Sequence, residues 1–196
     1  MINNDKTTNF SPIPQIAGLM PNDSTIEIFG IRDQRVLWMQ NGKTKYFKDL
    51  PTKIYNLLKN AYLEAPKAVE YLSKVSGNTQ KQVELYAYYM WGQIDTTPDI
   101  KNGVLSDSEN FRDSINCPSL LWNSKNINIG SHILTPRQLI IIDSILIQNL
   151  PDKAIAAVLG ISITTLDFHK AKLFKAVGVT NKMELQKIAL KYKVTV

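Results

Sequence analysis

Residue types suited to binding nucleic acid recur on one face of a predicted helix near the C-terminus. The spacing i, i+3, i+4, i+7, i+8, i+11 joins Thr164, Asp167, Phe168, Ala171, Lys172 and Lys175. Lysines neutralise phosphates, an acid accepts a hydrogen bond from cytosine N4, and apolar groups contact the thymine methyl. Thr165 joins this set, as does Lys153, which lies in the first turn of the preceding helix, where free amides could hold a phosphate. The pattern indicates a helix face suited to a nucleic-acid partner.

The distribution of charge agrees with this interpretation. Residues 135–196 contain nine Lys/Arg and four Asp/Glu, a net charge of +5, whereas residues 1–134 contain 14 and 13, a net charge of +1. An excess of positive charge in one segment favours a polyanionic partner. A solvated, lysine-rich helical surface would give the same net charge, so charge alone does not distinguish a polyanion-binding surface from a solvated one.

Other chemistries find little support in the sequence. Cys117 is the single cysteine, which excludes a disulfide within the chain and a cysteine-based metal site. We interpret Cys117 as an ordinary thiol, assign no role to His132, and predict no enzyme, metal or cofactor. The longest apolar stretch, residues 139–147, has about half of the roughly 20 residues that a membrane span requires. With no secretory signal at the N-terminus, we expect a cytoplasmic protein that does not contact membranes.

Four helices are predicted in the last third of the chain. Thr135 caps the first, Asn149-Leu-Pro151 ends it, and a short helix follows from residue 152 to Gly160, whose position suits a left-handed residue. Ser162 caps a longer helix that ends at Gly178, with Leu166, Leu173 and Val177 on its inward stripe, and Asn181 caps the last helix. A short helix, a glycine turn and an amphipathic helix form the helix-turn-helix pattern.

This region resembles the LuxR/GerE-type helix-turn-helix. The resemblance rests on four motifs in order, without a gap: Leu134-Thr-Pro-Arg137, the turn Lys153-Ala-Ile-Ala…Leu159-Gly-Ile-Ser162, Thr165-Leu-Asp-Phe-His169, and Gly178-Val-Thr-Asn-Lys-Met-Glu-Leu185. The resemblance implies a four-helix DNA-binding domain of a transcription regulator that lays its third helix in the major groove. It also implies pairing of two copies through the fourth helix, where we predict a dimer seam of Met183, Lys187 and Leu190. We interpret His169 as a hydrogen-bonded histidine that holds the third helix to its neighbours, rather than as a ligand or pH sensor.

The chain departs from this family at several positions. Asp167 and Ala171 stand where basic residues are common, and Gln138 and Ala154 each replace a common glutamate. An acid in the groove repels phosphate, so we expect altered sequence preference or weaker DNA affinity than is usual for the family.

The remainder of the chain resembles neither a phosphorylated receiver nor an acyl-homoserine-lactone sensor. We predict a flexible arm at 1–23, a module of β-hairpin and helices at 24–92, a partly packed linker at 93–133, and the helix-turn-helix domain at 134–196. Asn41-Gly42 between β-rich runs is a strong hairpin signal. The aromatic run from Tyr86 to Trp91 is interpreted as core rather than as a ligand pocket. The fold class is therefore α+β overall and mainly α.

Three hypotheses of function follow. The first is a bacterial or phage transcription regulator whose N-terminal module serves dimerisation, sensing or contact with RNA polymerase. The second is a helix-turn-helix protein repurposed for protein interaction, such as a phage or mobile-element effector or a virion-associated component. The third is a σ-like polymerase adaptor, which the closing motif and His169 fit less well.

Overall fold

The computed structural model describes residues 15–195, beginning with a three-stranded antiparallel sheet in the order β1-β2-β3. Its strands are β1 (Glu27–Ile31), β2 (Arg35–Gln40) and β3 (Lys43–Tyr46). Asn41 and Gly42 both have positive φ, 51° and 72°. This is the conformation that a two-residue hairpin turn requires, and it confirms the predicted hairpin.

Within residues 15–195, seven α-helices surround this sheet or follow it. Three belong to the N-terminal part: α1 (Thr52–Leu63), α2 (Pro66–Val75) and α3 (Thr79–Trp91). The other four are α4 (Pro136–Leu146), α5 (Asp152–Leu159), α6 (Ile163–Val177) and α7 (Lys182–Lys191). The mixed, mainly helical fold class is as predicted.

The first hydrophobic core lies between the sheet and α1–α3. Ile28 and Trp38, opposite each other on β1 and β2, are both buried. All of α3 from Leu85 to Trp91 is buried, and Tyr86 stacks on Trp122 with 5.7 Å between ring centroids. The aromatic run therefore forms core, as predicted, because these rings cover the inner face of a small sheet.

Residues 15–23 differ from the predicted flexible arm, whose residues 1–14 lie outside the described part of the chain. Ala17 is buried, and Gly18 accepts a hydrogen bond from the Gly42 amide through its carbonyl (2.9 Å). Asp23 accepts a hydrogen bond from the Gly18 amide at 2.8 Å. The segment packs because the β2–β3 turn and the Asp23 carboxylate satisfy its backbone groups.

The predicted linker at 93–133 is also more ordered than expected. It contains two small hairpins, β4 (Ile100–Lys101) with β5 (Val104–Leu105) and β6 (Asn128–Ile129) with β7 (His132–Ile133). Trp122 belongs to the first core, whereas Ile127 already belongs to the second. The segment is therefore shared between the two cores.

The second core is formed by α4–α7. Among its fully buried side chains are Ile142 of α4, Ile155 of α5, Leu166 and Leu173 of α6, and Leu185 of α7. Between residues 15 and 195, no single helix has the length and apolar character needed to cross a membrane. The consecutive helices α5 and α6 meet those two criteria only when taken together, and they are bent by 95°.

A buried ion pair joins the segment before the second core to α4. Arg112 donates to both carboxylate oxygens of Asp143, each at 2.8 Å, and also to the carbonyl of Val194. Nearby, the Asn110 side-chain amide donates to the carbonyl of Tyr192 at 2.6 Å. These contacts attach the middle of the chain to both ends of the α4–α7 unit.

Candidate nucleic-acid interface

The turn between α5 and α6 fixes the start of the predicted recognition helix. Gly160 ends α5 with φ +64°, a left-handed conformation that glycine adopts without strain. Ser162 then caps α6: its Oγ accepts from the Thr165 amide at 3.1 Å and lies 2.8 Å from Thr165 Oγ1. The angle between the two helices therefore follows from local sequence features.

One face of α6 is buried and the opposite face is exposed. Leu166, Leu173 and Val177 pack into the second core, as their spacing predicts. The eight residues predicted to contact DNA are exposed: Lys153, Thr164, Thr165, Asp167, Phe168, Ala171, Lys172 and Lys175. The Thr165 hydroxyl, however, is already engaged with the cap Ser162.

An aromatic ring and a cation lie side by side on the exposed face. Phe168 is 57% exposed, which is unusual for a phenylalanine, and Lys172 Nζ lies 4.9 Å from the centre of its ring. This i, i+4 cation–π contact orders the lysine side chain while its charge remains at the surface. The face thus combines an apolar group with positive charge.

The positive charge on this face is not neutralised by neighbouring acids. Lys170 Nζ binds both oxygens of Asp152, at 2.8 and 2.9 Å, and so ties α6 to the first turn of α5. Lys153, Lys172 and Lys175 form no ion pair with any residue between 15 and 195. Their charges are therefore available to a polyanion.

His169 has a structural contact with the neighbouring helix α4. Arg137 Nη1 lies 3.1 Å from His169 Nε2, and because arginine can only donate, this nitrogen accepts the hydrogen bond. The imidazole is half-buried and touches α4 through this bond, in agreement with the interpretation of His169 as a residue that positions α6.

The departure from the family at Gln138 leaves the start of α4 intact. Thr135 Oγ1 accepts from the Gln138 amide, and Gln138 Oε1 accepts from the Thr135 amide at 2.8 Å. Glutamine completes this capping box as glutamate does, since both supply a side-chain oxygen.

The predicted dimer seam lies on the outer face of α7. Met183 and Leu190 are 69% and 59% exposed, and Lys187 lies between them on the same side of the helix. Exposed apolar side chains at i and i+7 form a short stripe that a second copy could cover.

Several buried charged residues were not predicted to have any role. They are Glu27, Asp99, Arg112, Lys125 and Asp143. Asp143 interrupts an otherwise isoleucine-rich helix. That interruption was the one signal in the sequence, because an acid within an apolar run requires a buried partner. Cys117 is buried, and burial raises the pKa of its thiol, which agrees with an unreactive cysteine.

Comparison with known proteins gives a family match for the C-terminal region, which contains α4–α7. Residues 132–189 match the family model GerE, described as bacterial regulatory proteins, luxR family. The C-terminal region is therefore a LuxR-family helix-turn-helix domain, and the resemblance seen in its sequence motifs is confirmed. No curated protein and no solved structure matches the chain significantly. The family supports a DNA-binding regulator in general terms.

Proposed function

We propose that the chain is a sequence-specific transcription regulator that binds double-stranded DNA with α6 in the major groove. The observation that carries the proposal is the exposed face of α6, where Lys172 and Lys175 lack ion-pair partners within residues 15–195. This face belongs to a domain that matches a family of bacterial regulators. We include in the proposal a cytoplasmic location, and an N-terminal module that serves dimerisation, sensing or contact with RNA polymerase.

The dimensions of α6 suit this placement. Its 15 residues give a length of about 22 Å at about 1.5 Å per residue, and the major groove is about 12 Å wide, enough for one helix. In the helix-turn-helix arrangement, the preceding helix crosses the phosphate backbone. Lys153 and the free amides at the start of α5 would then contact a phosphate.

The exposed side chains suggest what the helix would recognise. Phe168 and Ala171 suit thymine methyl groups, Asp167 suits cytosine N4, and the hydroxyl of Thr164 can serve either a donor or an acceptor. Lys172 and Lys175 suit phosphates or guanine. Asp167 repels every phosphate, so this side chain favours binding only where it accepts a hydrogen bond from cytosine N4. A large share of the specificity would therefore depend on cytosine at one position.

Selection from a mixed pool of short duplexes tests the proposal. The full-length chain is expected to enrich a shared sequence, with binding that weakens as the salt concentration rises. Equal recovery of all sequences at every salt concentration would contradict sequence-specific recognition.

Replacing Asp167 by asparagine is expected to strengthen binding to unselected DNA several-fold. The substitution removes one negative charge from the groove and keeps the size of the side chain. Fluorescence anisotropy with random and selected duplexes measures the effect. Asp33→Asn, which removes an exposed charge from the N-terminal module, is the matched control. If Asp167→Asn weakens binding to every sequence instead, Asp167 makes a favourable contact of its own.

Dimerisation through α7 is expected to be sensitive to charge at the exposed stripe. Changing both Met183 and Leu190 to glutamate places two carboxylates where a partner helix would pack, so the dimer should dissociate to monomers. Light scattering across a range of concentrations reports the mass. Val104→Glu, at a comparably exposed residue of β5, is the control. A dimer that persists in the double variant would place the interface elsewhere.

A protein partner is the second candidate, and exposed apolar side chains favour it. Val158 and Ile163 are 61% and 50% exposed on α5 and α6, in addition to Phe168. Failure to bind any duplex at low salt, together with intact folding, would favour this candidate over the first.

A further inference from the structure

Three carboxylates from separate parts of the chain meet within the N-terminal unit. Glu27 lies on β1, Asp99 immediately before β4, and Glu109 in the segment after β5. One oxygen from each lies within 4.8 Å of the others. Glu27 and Asp99 are fully buried, with 0% and 1% exposure.

Each carboxylate is held by a backbone amide through one oxygen. The donors are the amides of Asp95 to Glu27 (2.6 Å), Ile28 to Asp99 (2.7 Å) and Gln93 to Glu109 (2.8 Å). The other oxygens of Glu27 and Asp99, Oε2 and Oδ1, have no hydrogen-bond partner in the part of the chain that the structure describes. Buried polar atoms of this kind are rare in native proteins and require an explanation.

Within residues 15–195, no lysine or arginine forms an ion pair with these three carboxylates. The nearby Lys193 pairs with Asp95 instead, at 3.3 Å. Burial, together with the charges of the neighbouring acids, raises the pKa of each carboxyl above its usual range. The positive charges of Lys125 and Lys193 act on the group without a direct ion pair, and three buried acids in this state are an unfavourable arrangement for a stable core.

A cavity gives access to the cluster. Asp99 and Glu109 line a cavity of about 790 Å³, together with Asp95, the last residue of α7 and the two residues that follow it. Small ions and water can therefore reach Asp99 and Glu109 from the side of the residues that follow α7.

We propose that Glu27, Asp99 and Glu109 bind a divalent cation of the hard, oxygen-preferring class, Ca²⁺ or Mg²⁺. Carboxylate oxygens are the preferred ligands of these ions. Oxygens on opposite sides of Ca²⁺, bonded at about 2.3–2.6 Å, are separated by about 5 Å, which is compatible with the spacing in the cluster. The ion supplies the missing positive charge, and water in the cavity completes its coordination. The site lies beside the Asp95–Lys193 ion pair.

Cation-dependent thermal unfolding of the full chain tests the site. After treatment with a chelator, CaCl₂ or MgCl₂ at a hundredfold excess over Kd is expected to raise the Tm by about 5–10 °C. Equilibrium dialysis should give one ion per chain. The double variant Glu27→Gln/Asp99→Asn should show neither effect. It should nevertheless melt no lower than the metal-free wild type, because it loses buried charge and keeps the side-chain oxygens that accept from the Asp95 and Ile28 amides.

Two further variants keep the test decisive. Asp107→Asn removes an exposed carboxylate that lines the same cavity, and it should retain the full response to the cation. Should the double variant not fold, Glu109→Gln alone, at a half-buried residue, is expected to weaken cation binding at least tenfold. A wild type that binds neither ion, with an unchanged Tm, would overturn the proposal and leave shared protons as the explanation of the cluster. A cation response that persists in the variants would overturn it as well.

Discussion

Replacing Lys172 and Lys175 together by alanine is expected to lower the affinity of the full-length chain for its selected duplex about a hundredfold. A hydrogen bond to a charged group contributes about 1.5–3 kcal/mol, or at least about tenfold in affinity for each lysine. Both side chains are exposed on one face of α6, and alanine is an excellent helix former. The fold should therefore be preserved while two charges are lost from the proposed interface.

The salt dependence separates lost phosphate contacts from other causes. If both lysines contact phosphates, the slope of log K against log salt concentration should decrease by about 2. Anisotropy titrations at several KCl concentrations give this slope. The control variant Lys67→Ala/Lys74→Ala removes two exposed lysines from α2 and should bind as the wild type does. Unchanged affinity in the α6 variant would place the interface on another surface.

The second large effect is expected from the buried ion pair. Arg112→Met should destabilise the protein by about 3–5 kcal/mol, because it leaves the Asp143 carboxylate buried without a partner. The side chains of Arg112 and Asp143 are 1% and 4% exposed, and two parallel hydrogen bonds join them. Urea unfolding monitored by circular dichroism measures the change.

A second substitution tests this explanation. Arg112→Met/Asp143→Leu removes both charges and should recover most of the lost stability, as apolar replacements of buried ion pairs commonly do. Lys74→Ala, which breaks the exposed Lys74–Glu70 pair, should change stability little. If the double variant is no more stable than Arg112→Met, the loss comes from the bond to the Val194 carbonyl or from packing.

The helix-turn-helix was predictable because its signals are local. Ser162, Asn181 and the glycines at 160 and 178 mark the helix ends, and periodicity identifies the buried face of α6. Each signal acts within a few residues, and the observed helices α5 and α6 have the predicted bounds. The engagement of Thr165 with Ser162 is likewise a local contact, but it depends on a rotamer that sequence does not specify.

The middle of the chain was predicted less well, since its order comes from distant contacts. Strands of two residues, such as Ile100–Lys101, are too short to show a periodic pattern in the sequence. The position of Ile100 depends on its pairing with Ile26, which is distant in the sequence. Trp122 suggested some packing without revealing its partner, Tyr86. The sequence also did not indicate a cation site, because Glu27 is far in the sequence from the two acids that it meets.

Methylation interference on the selected duplex tests most directly whether α6 occupies the major groove. Dimethyl sulfate modifies guanine N7, which lies in the major groove, and adenine N3, which lies in the minor groove. Binding of the full-length chain should be blocked by guanine N7 methylation within the enriched sequence, while adenine N3 methylation there should be tolerated. Interference at adenine N3 alone would contradict this account of the recognition helix, and so would binding that is indifferent to both modifications.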